Sequence, residues 1–511
     1  MNKKTLQNTN ILFIIKGTII GLITGFVVSL FRLSIQLILD KITEIFKLMH
    51  QSILYFWLMI IVLTVIGIVS SLLIKSDPNI KGSGIPEVEG QLMGEVEINW
   101  FSVLWKKFIA GVLSIGSGLF LGREGPSIQL GGVIGQGMAQ GIKSGPSEKR
   151  ILIASGAAAG LSAAFNAPLA GALFILEEVY HNFSPLVWIS ALASSLSANF
   201  ISSNFFGLTP VLSIHHSQDF PLKYYWILLI LGIVLGILGY IYQKLTIVMP
   251  DIYAKLFRRI PNYFYGFIPL ILLIPIGYFM PQFLGGGNSL ILNLPQQKVT
   301  VLLVFLIFII RFFFSIISYG SGLPGGIFLP VLTLGALIGS GVGLSFYELG
   351  LLPKQYIVSI LIFSMAGYFA GIGKAPFSAI ILITEMVGNL SHLMPLAMVS
   401  LIAYITVDSL GGAPIYESLL QKRLTINKIN ALKGKIDQLE FPVYENSCFT
   451  QKRVREIKWP EGTLLSHIRH GSEDIIPNGD TIIRPGDTLI ILTNSKKRAQ
   501  VKKTLTAMSD L

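Results

Sequence analysis

Gly122-Arg123-Glu124-Gly125-Pro126 lies inside an apolar stretch of a chain that is apolar through most of its length. A carboxylate in such a setting is costly unless it is protonated, paired or exposed to a water-filled path, so by default it marks an ion or proton route. Two further glycine-rich segments read as helix starts, Gly82-Ser83-Gly84-Ile85-Pro86-Glu87 and Gly325-Gly326-Ile327-Phe328-Leu329-Pro330. A helix start leaves N–H groups without intrahelical partners at the positive end of the dipole. Three such starts in one membrane domain suit an anion. Taken singly, the outer two read equally well as a capped helix and a packing turn, and Arg123–Glu124 as a structural ion pair.

Composition sets the class. Of 511 residues, 52% are hydrophobic and 13% charged, against about 25% charged in soluble domains. Apolar runs of spanning length occur near 17–39, 53–74, 225–246, 264–283, 299–318 and 355–373. Those near 120–145, 165–177 and 320–345 are shorter or broken by glycine and proline. Helices that stop inside a bilayer are tolerated where protein or water covers their ends, a pattern of transporters and channels. Lys3 and Lys4 precede the first span, which favours a cytoplasmic N-terminus. No signal-peptide cleavage pattern is legible, and the single cysteine, Cys448, forms no intrachain disulfide. The net charge of +12 follows from positive-inside bias better than from nucleic-acid binding.

The membrane part repeats itself. Pro126, Leu130, Gly131, Ile134, Gly135 and Gly137 match Pro330, Leu334, Gly335, Ile338, Gly339 and Gly341 at a spacing of 204 residues. Ala167, Pro168, Ile175 and Glu177 match Ala375, Pro376, Ile383 and Glu385 at 208. Duplication with interrupted helices at corresponding places points to a site between the halves, without saying whether they are inverted. The apolar character ends near Gln421. We expect a transmembrane domain over 1–423, a linker over 424–437 and a small α+β domain over 438–511. Within the last, Val454–Trp459, Ile482–Ile483 and Thr488–Thr493 read as strands. Pro477–Asp480 and Arg484–Asp487 read as turns, and Ser495 to Met508 as a basic helix.

Glu124 has the strongest individual case. A carboxylate among helix N-termini competes for the potential that would hold an anion, and protonation removes the competition. Ser83 offers a neutral hydroxyl donor and an N-cap. The glycines at 325–326 let the amides of Ile327 and Phe328 approach a ligand. The acids Glu177 and Glu178 end an apolar helix, where one would load protons from water or both would simply be solvated. Tyr416 offers a phenolic donor at another helix start, or a place in the interfacial belt. Gly371-Ile372-Gly373-Lys374-Ala375 fails as a phosphate loop because Ala375 cannot ligate magnesium. The seven histidines show no metal-ligand spacing, and HExxH and GxSxG are absent. Catalysis has no support, and no cofactor is expected.

GSGIPE at 82–87, GREGP at 122–126, GAAAGLSAAFNAPLAGALFILEE at 156–178, GGIFLP at 325–330 and PIYESLL at 414–420 together resemble the CLC chloride channel and transporter family. The resemblance covers roughly 15–423. It implies an all-α polytopic fold of two inverted repeats with broken helices, assembled as a homodimer with an anion pathway in each subunit. By position, Ser83 and Tyr416 resemble the side-chain ligands of the central chloride, with the amides of Ile327 and Phe328 completing it. Glu124 resembles the gating glutamate, with Arg123 beside it, and Lys107 resembles a buried lysine that adds positive potential to the pathway. Glu178 resembles the internal proton-transfer glutamate of the exchangers, so the resemblance favours chloride/proton antiport. A passive chloride channel of the same fold and a transport-inactive sensor or scaffold are the alternatives. Ser83 favours chloride, since nitrate-preferring relatives carry proline there. Residues 454–492 resemble the C-terminal domain of RCK/TrkA potassium-transport regulators. Some such domains bind cyclic di-AMP, which makes a nucleotide or another small cytosolic regulator the candidate ligand. The combination implies a bacterial inner-membrane protein with both termini cytoplasmic.

Overall fold

The computed structural model describes residues 3–214, 219–296, 299–431, 436–445, 447–470, 473–494 and 498–509. The chain divides into two compact units, Met1–Leu420 and Gln421–Leu511.

The first unit is helical. Among the described residues, eight helices are long and apolar enough to cross a membrane: Asn10–Leu48, Ile53–Ser76, Pro185–Phe206, Leu222–Leu256, Asn262–Phe279, Val301–Gly320, Phe328–Glu348 and Lys354–Gly373. Six coincide with the apolar runs of the sequence. Pro185–Phe206 escaped because serines at 190, 194, 195, 197, 202 and 203 dilute it. Three of those hydroxyls bond to protein: Ser155 Oγ donates to Ser190 Oγ at 2.7 Å, Ser197 Oγ to the Ala193 carbonyl at 2.7 Å and Ser202 Oγ to the Ala163 carbonyl at 3.0 Å.

Shorter helices also begin inside the unit, among them Ile85–Met93, Glu124–Gly141 and Ile415–Ala431. Their packing depends on small residues. On the Glu124–Gly141 helix, a Cβ added at Gly131 would lie 2.0 Å from the Gly156 carbonyl, and one at Gly135 2.1 Å from that of Leu152. The neighbouring helix Pro146–Phe165 therefore approaches backbone to backbone, as membrane helices do when small residues line their contact.

Three contacts show that the halves are related by a two-fold axis. Gly122 and Gly326, equivalent in the repeat, bond to each other, each N–H to the other's carbonyl at 2.7 Å. Glu385 accepts from the amides of Leu169 and Ala170 at 3.1 and 2.8 Å, while Glu177 accepts from those of Phe377 and Ser378 at 3.3 and 2.6 Å. Each helix end thus caps the start of its counterpart, which requires the pair to run antiparallel. Buried Lys107 donates to the carbonyls of Ile80 and Gly82 at 2.9 and 2.8 Å. Arg311, its equivalent, donates to those of Phe283, Gly285 and Gly286 at 2.7, 3.1 and 3.2 Å. Equivalent residues that exchange matching backbone bonds across antiparallel helices define inverted repeats.

The second unit carries four strands, β1 (Ile436–Pro442), β2 (Thr463–His470), β3 (Glu473–Ile475) and β4 (Thr488–Asn494), ordered β1-β4-β2-β3 with every pair antiparallel. Leu439, Phe441, Ile468, Leu489 and Ile491 pack with Val501 and Leu505 of the helix Arg498–Ser509. The start of the expected basic helix, Ser495, falls outside the described residues. The expected strand at Val454–Trp459 is instead a 3-10 turn over Val454–Glu456. Glu456 takes the amide of Arg453 at 3.0 Å, and the Trp459 indole donates to the Val454 carbonyl at 3.0 Å, closing the segment locally. Ile482 makes an isolated bridge to Arg453 rather than a strand. Both expected turns form: Asp480 N donates to Asn478 Oδ1 at 2.9 Å, and Arg484 N to Asp487 Oδ2 at 2.7 Å. The helix Ile415–Ala431 runs through the first part of the expected linker, and residues 432–435 fall outside the described set.

Candidate functional site

The glycine-rich segments converge where the two-fold axis passes. Gly82 accepts from the amide of Gly325 at 3.0 Å and donates to the Gly322 carbonyl at 3.3 Å, which ties the Ser83 segment to the Phe328 segment. The Gly122–Gly326 pair ties the Glu124 segment to the same place. A Cβ on Gly125 would lie 2.7 Å from Ser83 Cβ and 2.8 Å from its carbonyl oxygen. The helices Ile85–Met93, Glu124–Gly141 and Phe328–Glu348 consequently present their N-termini to one small volume.

The expected N-cap of the first helix is displaced by one residue. Gly84, at φ 91°, occupies it, while Ser83 Oγ accepts from the amide of Ile85 at 3.3 Å. A side chain cannot stand at 84, where a Cβ would fall 2.3 Å from Gln129 Oε1. Ser83 is 1% exposed. Tyr319 brings its own hydroxyl to Ser83.

Glu124 is fully buried at the first position of its helix. Its Oε2 rests against Gly122, where an added Cβ would be 2.2 Å away, close to the amide of Leu329. Arg123 and Arg32 are the cations acting on it. Arg32 is itself anchored, its Nη1 donating to the Ala163 carbonyl at 2.7 Å and Asn166 Oδ1 at 2.9 Å. The first-turn amides of Ile327, Phe328 and Leu329 stand opposite, where helical partners run out.

Phe328 is enclosed by Phe165, Phe174 and Phe369, with ring centroids 5.2, 5.7 and 4.3 Å away. Phe174 also meets the Tyr416 ring edge-on at 6.2 Å, so Phe328 and Tyr416 flank the same phenylalanine. Tyr416 is 2% exposed, and Glu178, Tyr319 and Glu124 lie within its electrostatic reach. Lys107 bonds to the carbonyls of Ile80 and Gly82, just before Ser83.

Glu178 is buried in a π-turn over Ile175–Val179, and its Oε1 has no hydrogen-bond partner among the described residues. Glu89, Glu177 and Glu417 surround it electrostatically. Glu89 is fully buried with neither oxygen partnered, and sequence reasoning passed over it. The two acids inside Pro86-Glu87-Val88-Glu89 were the available signal. Tyr319 and Arg32 were also missed, since each reads in sequence as an ordinary residue of a span.

Interrupted helices meeting N-terminus to N-terminus between inverted repeats define a polytopic membrane transport protein. The chain belongs to the voltage gated chloride channel family, whose profile matches residues 66–408. A TrkA-C domain profile matches residues 439–506. The H(+)/Cl(-) exchange transporter ClcA of Vibrio parahaemolyticus is 34% identical over 431 residues, covering 81% of this chain and 91% of that protein. The ClcA of Salmonella paratyphi B is 33% identical over 429 residues, covering 82% and 90%. The crystal structure of a slow cyanobacterial Cl-/H+ antiporter superposes with a TM-score of 0.75 at 32% identity, covering 81% of this chain and 98% of that one.

Proposed function

We infer that the protein is a secondary active transporter that exchanges chloride for protons across a bacterial inner membrane, rather than an enzyme. The observation that carries this reading is a buried carboxylate, Glu124, seated among three helix N-termini that would otherwise hold an anion. The names of the most similar relatives support it.

Chloride would be held by the hydroxyls of Ser83 and Tyr416 and the amides of Ile327 and Phe328. Helix dipoles and Lys107 supply the potential, with no full counter-charge in contact, so the ion is held yet free to leave. Charged Glu124 and a chloride cannot share that potential. When Glu124 takes a proton it gives up its position to the anion, and when it releases the proton outward it competes again. Arg123 offsets part of the cost of burying the charged form. Glu178 supplies the proton from the inner side, and its burial without a full set of partners leaves it able to change protonation at little structural cost. One residue thus links the two fluxes, so a gradient of either ion drives the other.

The transport domain comprises 1–423; of the expected linker 424–437, the helix Ile415–Ala431 takes the first part and β1 begins at Ile436. Residues 438–511 form a cytoplasmic regulatory domain through which a homodimer responds to a small ligand, with cyclic di-AMP or another nucleotide as the chemical class. Both termini are cytoplasmic. The fold and core of this second unit, together with its TrkA-C match, support a domain that acts as a module.

Purified protein in liposomes tests the transport reading. An imposed chloride gradient moves protons uphill in an exchanger. Chloride flux without proton movement indicates a channel, and neither flux indicates a sensor. Calorimetric titration of the full-length protein with cyclic di-AMP tests the tail, and absence of heat refutes that ligand.

A further inference from the structure

The reciprocal caps that relate the two halves are not quite alike, and the difference falls beside Glu178. Glu177 and Glu385 are equivalent, each half-buried and each closing the start of the other's helix. Glu385 holds two backbone amides. Glu177 holds two amides and also the hydroxyl of Ser378, at 2.6 Å. The counterpart of Ser378 is Ala170, so the third bond exists on one side only.

The helices differ too. Pro376–Val387 remains α-helical to its end, where the Gly388 amide donates to the Thr384 carbonyl at 2.8 Å. Pro168–Phe174 widens into the π-turn, with the Tyr180 amide donating to the Ile175 carbonyl at 2.8 Å. π-turns inside helices are uncommon and concentrate at functional sites. At the position after the cap, the second half carries a buried methionine, Met386, and the first carries Glu178. The two halves thus diverge here, and the first carries a buried carboxylate whose Oε1 has no hydrogen-bond partner among the described residues.

We propose that Glu177 is a positioning residue for the proton step: its carboxylate, pinned at three points to the start of the Pro376–Val387 helix, fixes the π-turn and aims Glu178 into the interior. The inference rests on the reading of Glu178 as the internal proton acceptor. Successive residues of a helix diverge by about 100°, so anchoring Glu177 outward determines where Glu178 points. Without the anchor the turn can relax to an α-helical register, which rotates the Glu178 carboxylate away from Tyr416 and lengthens the path to Glu124. The Glu385 cap, with Met386 beside it, stabilises the same helix pair and positions nothing that titrates.

This symmetry supplies its own control. Full-length Glu177→Gln, Ser378→Ala, Glu385→Gln and Glu178→Gln are reconstituted, and the ratio of protons to chloride moved is measured with thermal unfolding in detergent. Glu177→Gln and Glu385→Gln should lower the unfolding temperature alike. Of these two, Glu177→Gln alone should lower the ratio, by about threefold or more, with chloride flux retained. Ser378→Ala removes one pinning bond and no titratable group, and should lower the ratio in the same direction by less. It is also the mildest change, which keeps the test open if Glu177→Gln fails to fold. Equal ratios in Glu177→Gln and Glu385→Gln would overturn the proposal. So would an intact ratio in Ser378→Ala beside a lost one in Glu177→Gln, since Glu177 would then carry the proton itself. Full coupling in Glu178→Gln would instead remove the underlying reading, and that result is separable from the others.

Discussion

Replacing Gly122 by alanine tests how Glu124 is held. The new Cβ would stand 2.2 Å from Glu124 Oε2, 3.3 Å from its carboxyl carbon and 3.2 Å from the Leu329 amide nitrogen. A carbon–oxygen contact needs about 3.3 Å, so roughly 1 Å must be found. The obstacle is the far end of a flexible side chain, so the carboxylate turns away before the backbone yields. Leaving its preferred rotamer costs it about 0.5–1.5 kcal/mol. At about 1.4 kcal/mol per tenfold, its occupancy of the seat falls by roughly two- to twelvefold. The variant should therefore behave as a partial Glu124→Gln, with faster chloride efflux from liposomes and fewer protons moved per chloride. Gly326→Ala is the control, because its Cβ would meet only the Gly125 amide nitrogen at 3.2 Å and the Gly122 carbonyl at 3.4 Å. It should cost stability without loosening coupling. Unchanged coupling in Gly122→Ala, or an equal loss in Gly326→Ala, would refute the seat assigned to Glu124.

Other consequences follow from named contacts. Lys107→Met leaves the Ile80 carbonyl without its donor and the Gly82 carbonyl with the Gly325 amide alone, at about 1–3 kcal/mol for the unpaired group, and should weaken chloride binding in calorimetry. Arg311→Met should destabilise comparably, as a thermal shift, without weakening chloride. Ser83→Pro deletes the hydroxyl donor and should shift anion preference in flux assays from chloride toward nitrate. In the second unit, Asp487 joins His470 Nδ1 at 2.6 Å to the Arg484 amide at 2.7 Å. Asp487→Ala should cost about 1–3 kcal/mol, seen as faster proteolysis of residues 438–511 with the transport core intact.

The membrane fold was legible because hydropathy and glycine–proline interruption act locally: six spans and all three broken-helix starts stand in the sequence. The repeat was legible too, but not its inversion, which lives in exchanged contacts such as Gly122–Gly326 and Glu177–Ser378. Single-residue chemistry was less readable. Gly84 rather than Ser83 takes the cap because Gln129, a residue distant in sequence, fills the space above it. Glu89 looked like one more acid in a helix until burial removed every partner. In the tail, Val454–Trp459 has the alternation of a strand, yet Glu456 and Trp459 close it into a turn. β1 and β2 were missed because Asp437, Glu440, His467 and Arg469 interrupt their apolar pattern.

The most direct measurement is proton uptake or release by liposomes containing the wild-type protein or Glu124→Gln, with chloride as the only imposed gradient. The account predicts uphill proton movement by the wild type and chloride flux alone in the variant. Chloride flux without protons in the wild type, or proton pumping that survives Glu124→Gln, would contradict it.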